Sequence, residues 1–255
     1  MVETLVVLDP LADLARFEGV ASAVAAATEA VDAVLRDRGL RNVTEEQLSQ
    51  ALLLGARANA ELTNDPQRWQ VGALRLSAEL APLAALIRVA PAQALARAHA
   101  LVARGVVPDS ELGKIGTQPE SAQSEKTQSE KTQSERTQPE IAGRINSLGE
   151  LLTGHTSAPA IVVGAVAHAE IAVVAPFGEA SGLIARSVEH LVLIAAGLDP
   201  YGVIVVEAGH AESGASYSRA LEAYTDGSVE GVKDWLLHCA AAVVRGAQLS
   251  PVGNR

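Results

Sequence analysis

Residues 175–186 read Ala-Pro-Phe-Gly-Glu-Ala-Ser-Gly-Leu-Ile-Ala-Arg. An apolar stretch stops at Pro176-Phe177, and a short loop, Gly178 to Gly182, opens a new helix. Glycine admits close backbone approach, and the first turn of a helix presents N–H groups without intrahelical partners. Together these form a cradle for an anion. Ser181 also suits the ordinary work of capping a helix. Other chemistry-bearing patterns are missing from the chain. It has no H-E-x-x-H, no G-x-S-x-G around Ser213 or Ser216, no G-x-G-x-x-G and no P-loop. Cys239 follows His238 in an apolar helix, where a thiol is buried and inert.

The flanks of this window extend the pattern. The preceding helix carries Ala165 and His168, and Leu198-Asp199-Pro200, Tyr217–Leu221 (YSRAL) and Val232–Leu236 (VKDWL) follow it. On these residues the chain resembles the Fic (Fido) family of nucleotidyl transferases. That family's signature is H-P-F-x-[DE]-[GA]-N-[GK]-R-x-x-R, preceded by A-x-x-H-x-x-F-x-x-I. The resemblance spans about Leu148 to Gln248. It implies an all-α, Fic-like helical bundle.

The departures from the signature bear on activity. The family's histidine takes the proton from a target hydroxyl that attacks a nucleotide α-phosphate. Here Ala175 stands in its place, and loss of a general base costs about 10²–10⁴ in rate. Ser181 replaces the phosphate-contacting Asn. Leu183 replaces the first Arg, exchanging a bidentate cation for an apolar side chain. What the resemblance keeps is Glu179, the position that helps hold Mg²⁺, together with Gly182 of the backbone cradle and Arg186, the second Arg. Glu179, Ser181, Gly182 and Arg186 are therefore the expected nucleotide- or phosphate-binding residues, with a Mg-nucleotide as the implied ligand. The implied protein is a degraded AMP transferase, weak or inactive.

Many Fic proteins also carry an inhibitory helix, [ST]-x-x-x-E-[GN], whose Glu pairs with the second Arg. The nearest window here is Asn59-Ala60-Glu61-Leu62-Thr63-Asn64, in which only Asn64 matches. Two other readings stay open. In one, an active enzyme uses a relocated base: His168 near the Pro-Phe turn, His190 four residues after Arg186 on the same helix face, or His210 in the polar run Gly209–Gly214. In the other, a non-catalytic scaffold binds a protein partner. No motif supports an oxidoreductase.

The elements that position these residues are helical by periodicity. A first helix runs from Asp9-Pro10 to Gly39, with Asp9 as N-cap and Pro10 at its first position. A second starts at Thr44, whose spacing to Gln47 reads as a capping box. Others cover about Arg68–Arg88, Pro91–Arg104, Ile141–Leu152, Pro159–Ala172, Gly182–Ala196, Tyr217–Ala223 and Val229–Gln248. The β-branched run Val203–Val206 reads as a short strand. From Thr117 to Glu140 a TQSEK-type five-residue repeat without large apolar residues predicts disorder. The organisation is thus an N-terminal helical part (1–113), a linker (114–140) and a Fic-like core (141–255). The linker falls near where Fic proteins often carry a target-docking flap.

Composition agrees with helices. Of 255 residues 47 are Ala, and aromatics are 3%, which suits closely packed helices. A net charge of −10 argues against a chain that coats nucleic acid. The single cysteine excludes an intrachain disulfide and a zinc site built on cysteines, and fits a reducing cytoplasm. Arg outnumbers Lys 16 to 4, the bias of a GC-rich bacterial genome. The N-terminus lacks the basic and apolar regions of a signal peptide. Ala158–Phe177 has the length of a membrane span, but His168 and Glu170 lie in its middle, so a buried helix and no membrane contact are expected. Self-association is compatible with all of this.

Overall fold

The computed structural model describes residues 9–37, 43–116 and 137–252. Most of the repeat, and the expectation of disorder for it, lies outside the described residues. Among the described residues the architecture is all-α, with one isolated bridge between Arg104 and Val107.

Twelve α-helices follow one another. They are α1 (Pro10–Leu14), α2 (Val20–Asp37), α3 (Glu45–Glu61), α4 (Pro66–Ala78), α5 (Leu80–Ile87) and α6 (Pro91–Ala103), then α7 (Gln138–Thr153), α8 (Ala160–Val174), α9 (Ser181–Ala195), α10 (Val206–Glu212), α11 (Ala215–Thr225) and α12 (Val229–Gln248). Two caps stand as expected. The Asp9 carboxylate accepts from the Ala12 N–H at 3.2 Å, and Thr44 with Gln47 forms the capping box of α3.

Four expectations are corrected. The first helix is two, because Gly19 at φ +82° turns the chain between α1 and α2. The helix expected over Arg68–Arg88 divides at Glu79 into α4 and α5. Pro82 explains the division: it has no N–H for the carbonyl of Ala78, and its ring crowds that carbonyl. No strand forms at Val203–Val206. Instead the Asp199 carboxylate accepts from the N–H groups of Val203 (3.0 Å) and Ile204 (2.8 Å), and α10 starts at Val206. Finally, the chain assigned to the linker is helical from Gln138, with the Glu140 carboxylate accepting from the Thr137 N–H at 2.7 Å.

Helices α8 and α9 form the centre. α8 is apolar on every side, so it is stable only when covered all round. α9 packs along it, and α5, α7, α11 and α12 complete the surround, with α2 lying against α12. Trp235 of α12 is fully buried and donates its indole N–H to the Ala165 carbonyl at 2.8 Å. Two crossings need glycine. A Cβ at Gly72 would stand 2.1 Å from the Val102 carbonyl oxygen, and one at Gly209 2.0 Å from that of Ala242. Among the described residues no single helix is long and apolar enough to cross a membrane, although α4 and α5 meet that test as a pair bent by 67°.

Candidate functional site

The turn between α8 and α9 is held at several points. α8 ends on Ala175 in the left-handed conformation (φ 50°, ψ 51°), with its N–H still bonded to the Ile171 carbonyl. The Phe177 N–H donates to the Ser181 hydroxyl at 2.9 Å. The Phe177 ring is buried and stacks on His99, centroids 4.6 Å apart. From outside the turn, the Gly116 N–H donates to the Pro176 carbonyl at 2.7 Å. A 3₁₀ turn over Gly178–Ala180 then delivers the chain to α9.

Beside this turn lies a pocket of about 250 Å³. Glu179, Gly182 and Arg186 line it, together with Thr63, Asp65 and Arg68 from the end of α3 and the start of α4. Asp65 caps α4 by accepting from the Arg68 N–H, with Pro66 at the first helical position. That start aims the Arg68 guanidinium at the Glu179 carboxylate, 2.7 Å away, above the Trp69 ring. The pair is exposed enough for solvent to screen it.

Arg186 is held differently. It is only 2% exposed, yet it forms part of the pocket wall. Its Nε donates to the Asn59 side-chain oxygen at 2.6 Å, one terminal nitrogen to the Asn59 carbonyl at 3.1 Å, and the other to the Tyr217 hydroxyl at 3.1 Å. A guanidinium has five N–H donors, so two remain beyond these three bonds. A Cβ at Gly182 would stand 3.3 Å from this guanidinium, so the missing side chain gives Arg186 its room. The window compared with an inhibitory helix thus does sit over the second Arg. Asn59 makes the contact, while the Thr63 hydroxyl donates back to the Ala60 carbonyl.

The other expected residues lie elsewhere. Ser181 is buried and its hydroxyl is taken by Phe177, so it serves the turn and does not line the pocket. Leu183 is fully buried and faces the core. His168 and His190 do not reach the pocket as bases. His190 shares a helix with Arg186, but its ring is captured between Glu207 (3.1 Å) and Asp199 (3.3 Å). Burial opposes its charge, but the Glu207 and Asp199 carboxylates outweigh burial and hold His190 protonated. His168 is fully buried, its Nε2 3.0 Å from the Tyr217 hydroxyl and its Nδ1 2.6 Å from Glu189. Burial keeps its pKa low, about 4, so the ring is neutral. His210, expected in a solvated loop, is a fully buried residue of α10 whose Nε2 also meets Glu189, at 2.9 Å. Burial pushes Glu189 towards the neutral acid, but His210 and His168 together hold it well below the usual carboxylate range.

A chain of contacts therefore runs from the pocket wall inwards: Arg186, Tyr217, His168, Glu189, His210, His238. Sequence patterns alone reach little of it. Arg68 and Asn59 come from helices far away in the chain, and His168 to Glu189 is a separation with no helical period. One signal was available: Arg186, Glu189 and His190 crowd three polar groups into a helix that is otherwise buried and apolar.

No family model matches this chain, and no curated protein matches it. A solved structure does. A Fic family protein from Desulfovibrio desulfuricans G20, determined at 2.70 Å resolution, is similar with a TM-score of 0.57 at 16% identity. The similarity covers 89% of this chain and 74% of that one. With the helix–turn–helix of residues 160–195 at its centre, the chain has a Fic-like, all-α fold.

Proposed function

We propose that this protein is a Fic-like domain that has kept a pocket for a phosphoryl-bearing ligand and lost efficient AMP transfer. One observation carries the reading. Glu179, Gly182 and Arg186, the retained signature positions with a ligand-binding role, converge on one pocket, whereas Ala175 and Leu183 bring no base and no cation to it. Arg68 adds a cation from α4 on the opposite wall. Arg68 and Arg186 balance the carboxylates of Glu179 and Asp65 in the lining, and a planar guanidinium fork suits phosphate oxygens. The volume favours a phosphate-bearing fragment over a whole nucleoside triphosphate, because drug-sized ligands occupy roughly 300–1,000 Å³.

The donor set also fits Mg²⁺. That ion is held by one or two carboxylates together with the phosphates of its ligand, and Glu179 offers one exposed carboxylate. When bound, Mg²⁺ would neutralise phosphate charge. Glu179 would hold the ion, while Arg68 and Arg186 would orient the phosphoryl oxygens. At the position of the signature histidine, Ala175 has no group to take a proton from a target hydroxyl.

Calorimetric titration of ATP, ADP, AMP and CTP, with and without Mg²⁺, tests this. Binding that needs Mg²⁺ and disappears in Arg68→Ala and Glu179→Ala is expected. Both side chains are exposed, so neither variant disturbs folding. Absence of binding at millimolar concentrations of these nucleotides and of inorganic phosphate and pyrophosphate refutes the pocket. Robust AMP transfer to a protein, abolished by Glu179→Ala, refutes the loss of activity.

A further inference from the structure

Among the described residues, a concentrated set of potential ligand atoms lies behind the pocket, in the core. His168 of α8, Glu189 of α9, His210 of α10 and Cys239 of α12 are all fully buried, and one donor atom from each lies within 4.8 Å of all the others. Glu189 Oε2 receives both His168 Nδ1 and His210 Nε2. Its second oxygen, Oε1, is buried with no hydrogen-bond partner. A carboxylate oxygen left so costs about 1–3 kcal/mol or more, and nothing in the protein's own hydrogen bonding satisfies it.

We propose that these four side chains form a zinc site, with His168 Nδ1, His210 Nε2, a Glu189 oxygen and the Cys239 thiolate as ligands. The single cysteine rules out the cysteine-rich frameworks, but two imidazoles, a carboxylate and one thiolate make a full tetrahedral set for this borderline-soft ion. Charge favours it. Zinc with one carboxylate and one thiolate is neutral, and it would give the partnerless, buried Oε1 of Glu189 a cation to meet. Loading displaces the thiol proton, and each imidazole binds through a ring nitrogen that carries no proton.

The outer partners are in place. Histidines that bind zinc hand their other ring nitrogen to a second group, which fixes tautomer and orientation. Here His168 Nε2 faces the Tyr217 hydroxyl at 3.0 Å, and His210 Nδ1 faces His238 Nε2 at 3.1 Å. Zn–N bonds of about 2.0–2.1 Å and a Zn–S bond of about 2.3 Å need ligand atoms about 3.3–3.6 Å apart. The two nitrogens, 2.6 and 2.9 Å from Glu189 Oε2, must move outward from it by less than about an ångström on those bond lengths. The four ligands come from four helices, so the ion would tie α8, α9, α10 and α12 together at the centre of the bundle.

Because the site is sealed, the metal enters as the chain folds. The full chain would therefore be produced in medium supplemented with zinc, or with cobalt(II) as a spectroscopic probe, and purified without a histidine tag. We expect about one metal ion per chain by elemental analysis, and a near-ultraviolet thiolate-to-cobalt band in the cobalt protein. Cys239→Ser removes that band and lowers the metal content. Metal-free wild-type protein from supplemented medium overturns the proposal. So does bound cobalt without the thiolate band, or a band that survives Cys239→Ser. If that variant does not fold, the wild-type metal content and spectrum still decide.

Discussion

Asn59 of α3 holds Arg186 of α9 by two bonds, one to its side-chain oxygen and one to its main-chain carbonyl. The same amide donates to the Leu183 carbonyl at 3.1 Å and to the Ser187 hydroxyl at 3.0 Å. One neutral side chain thus fixes the only signature arginine left. Asn59→Ala strips the guanidinium Nε and the Ser187 hydroxyl of this partner in a buried site. The expected loss is about 1–3 kcal/mol, read as a lower urea midpoint with an unchanged slope.

His190 stands between Glu207 and Asp199 with almost no contact with solvent. Removing it leaves two buried carboxylates facing an emptied space. His190→Ala should cost about 3–5 kcal/mol, the range for breaking a buried ion pair from one side. Thermal unfolding checks this, and a change below about 1 kcal/mol would mean that the carboxylates find other partners.

Glycine to alanine should have opposite signs at two positions. At Gly209 the new methyl meets the Ala242 carbonyl, so α10 must separate from α12. A loss of about 3 kcal/mol or more, or failure to fold, is expected. Gly143 lies exposed within α7 with open space around its Cβ direction. There alanine should add about 1 kcal/mol through helix propensity. Chemical denaturation of the two variants side by side gives both numbers.

Asp9 sets a dependence on acid. Its carboxylate accepts from the Ser157 N–H and the Thr156 hydroxyl, which hold its pKa down from 3.8 to about 2. A depressed carboxylate stabilises the fold above its unfolded pKa and loses that contribution as pH falls through the folded one. Asp9→Asn should therefore melt below wild type at neutral pH. The gap should close between pH 3.8 and about 2. A gap that stays constant across this window would contradict the assignment.

Local signals were the readable part of this fold. The α12 boundaries, the Asp9 cap and the Thr44–Gln47 box follow from residues within one or two turns of each other. Pro82 could have been read too, since its missing N–H marks the end of α4. The extended run at Val203–Val206 could not, because a carboxylate at Asp199 replaces the neighbouring strand that β-branched residues suggest. At the candidate site the turn and its retained residues were visible as a motif. What occupies each side chain was not: Ser181 is consumed by Phe177, His190 by two carboxylates, and Arg68 arrives from a helix more than a hundred residues earlier.

Ala175 is the one residue other than glycine with positive φ among the described residues. A left-handed alanine costs about 1–2 kcal/mol, which glycine would avoid and which histidine tolerates better than most. The bend is thus formed here without the histidine that the Fic signature places on it. A histidine at this position needs no new loop. Ala175→His would set an imidazole on a main chain already curved to receive it, half-exposed at the end of α8, while Leu183 and Ser181 would still bring no cation and no amide to the turn.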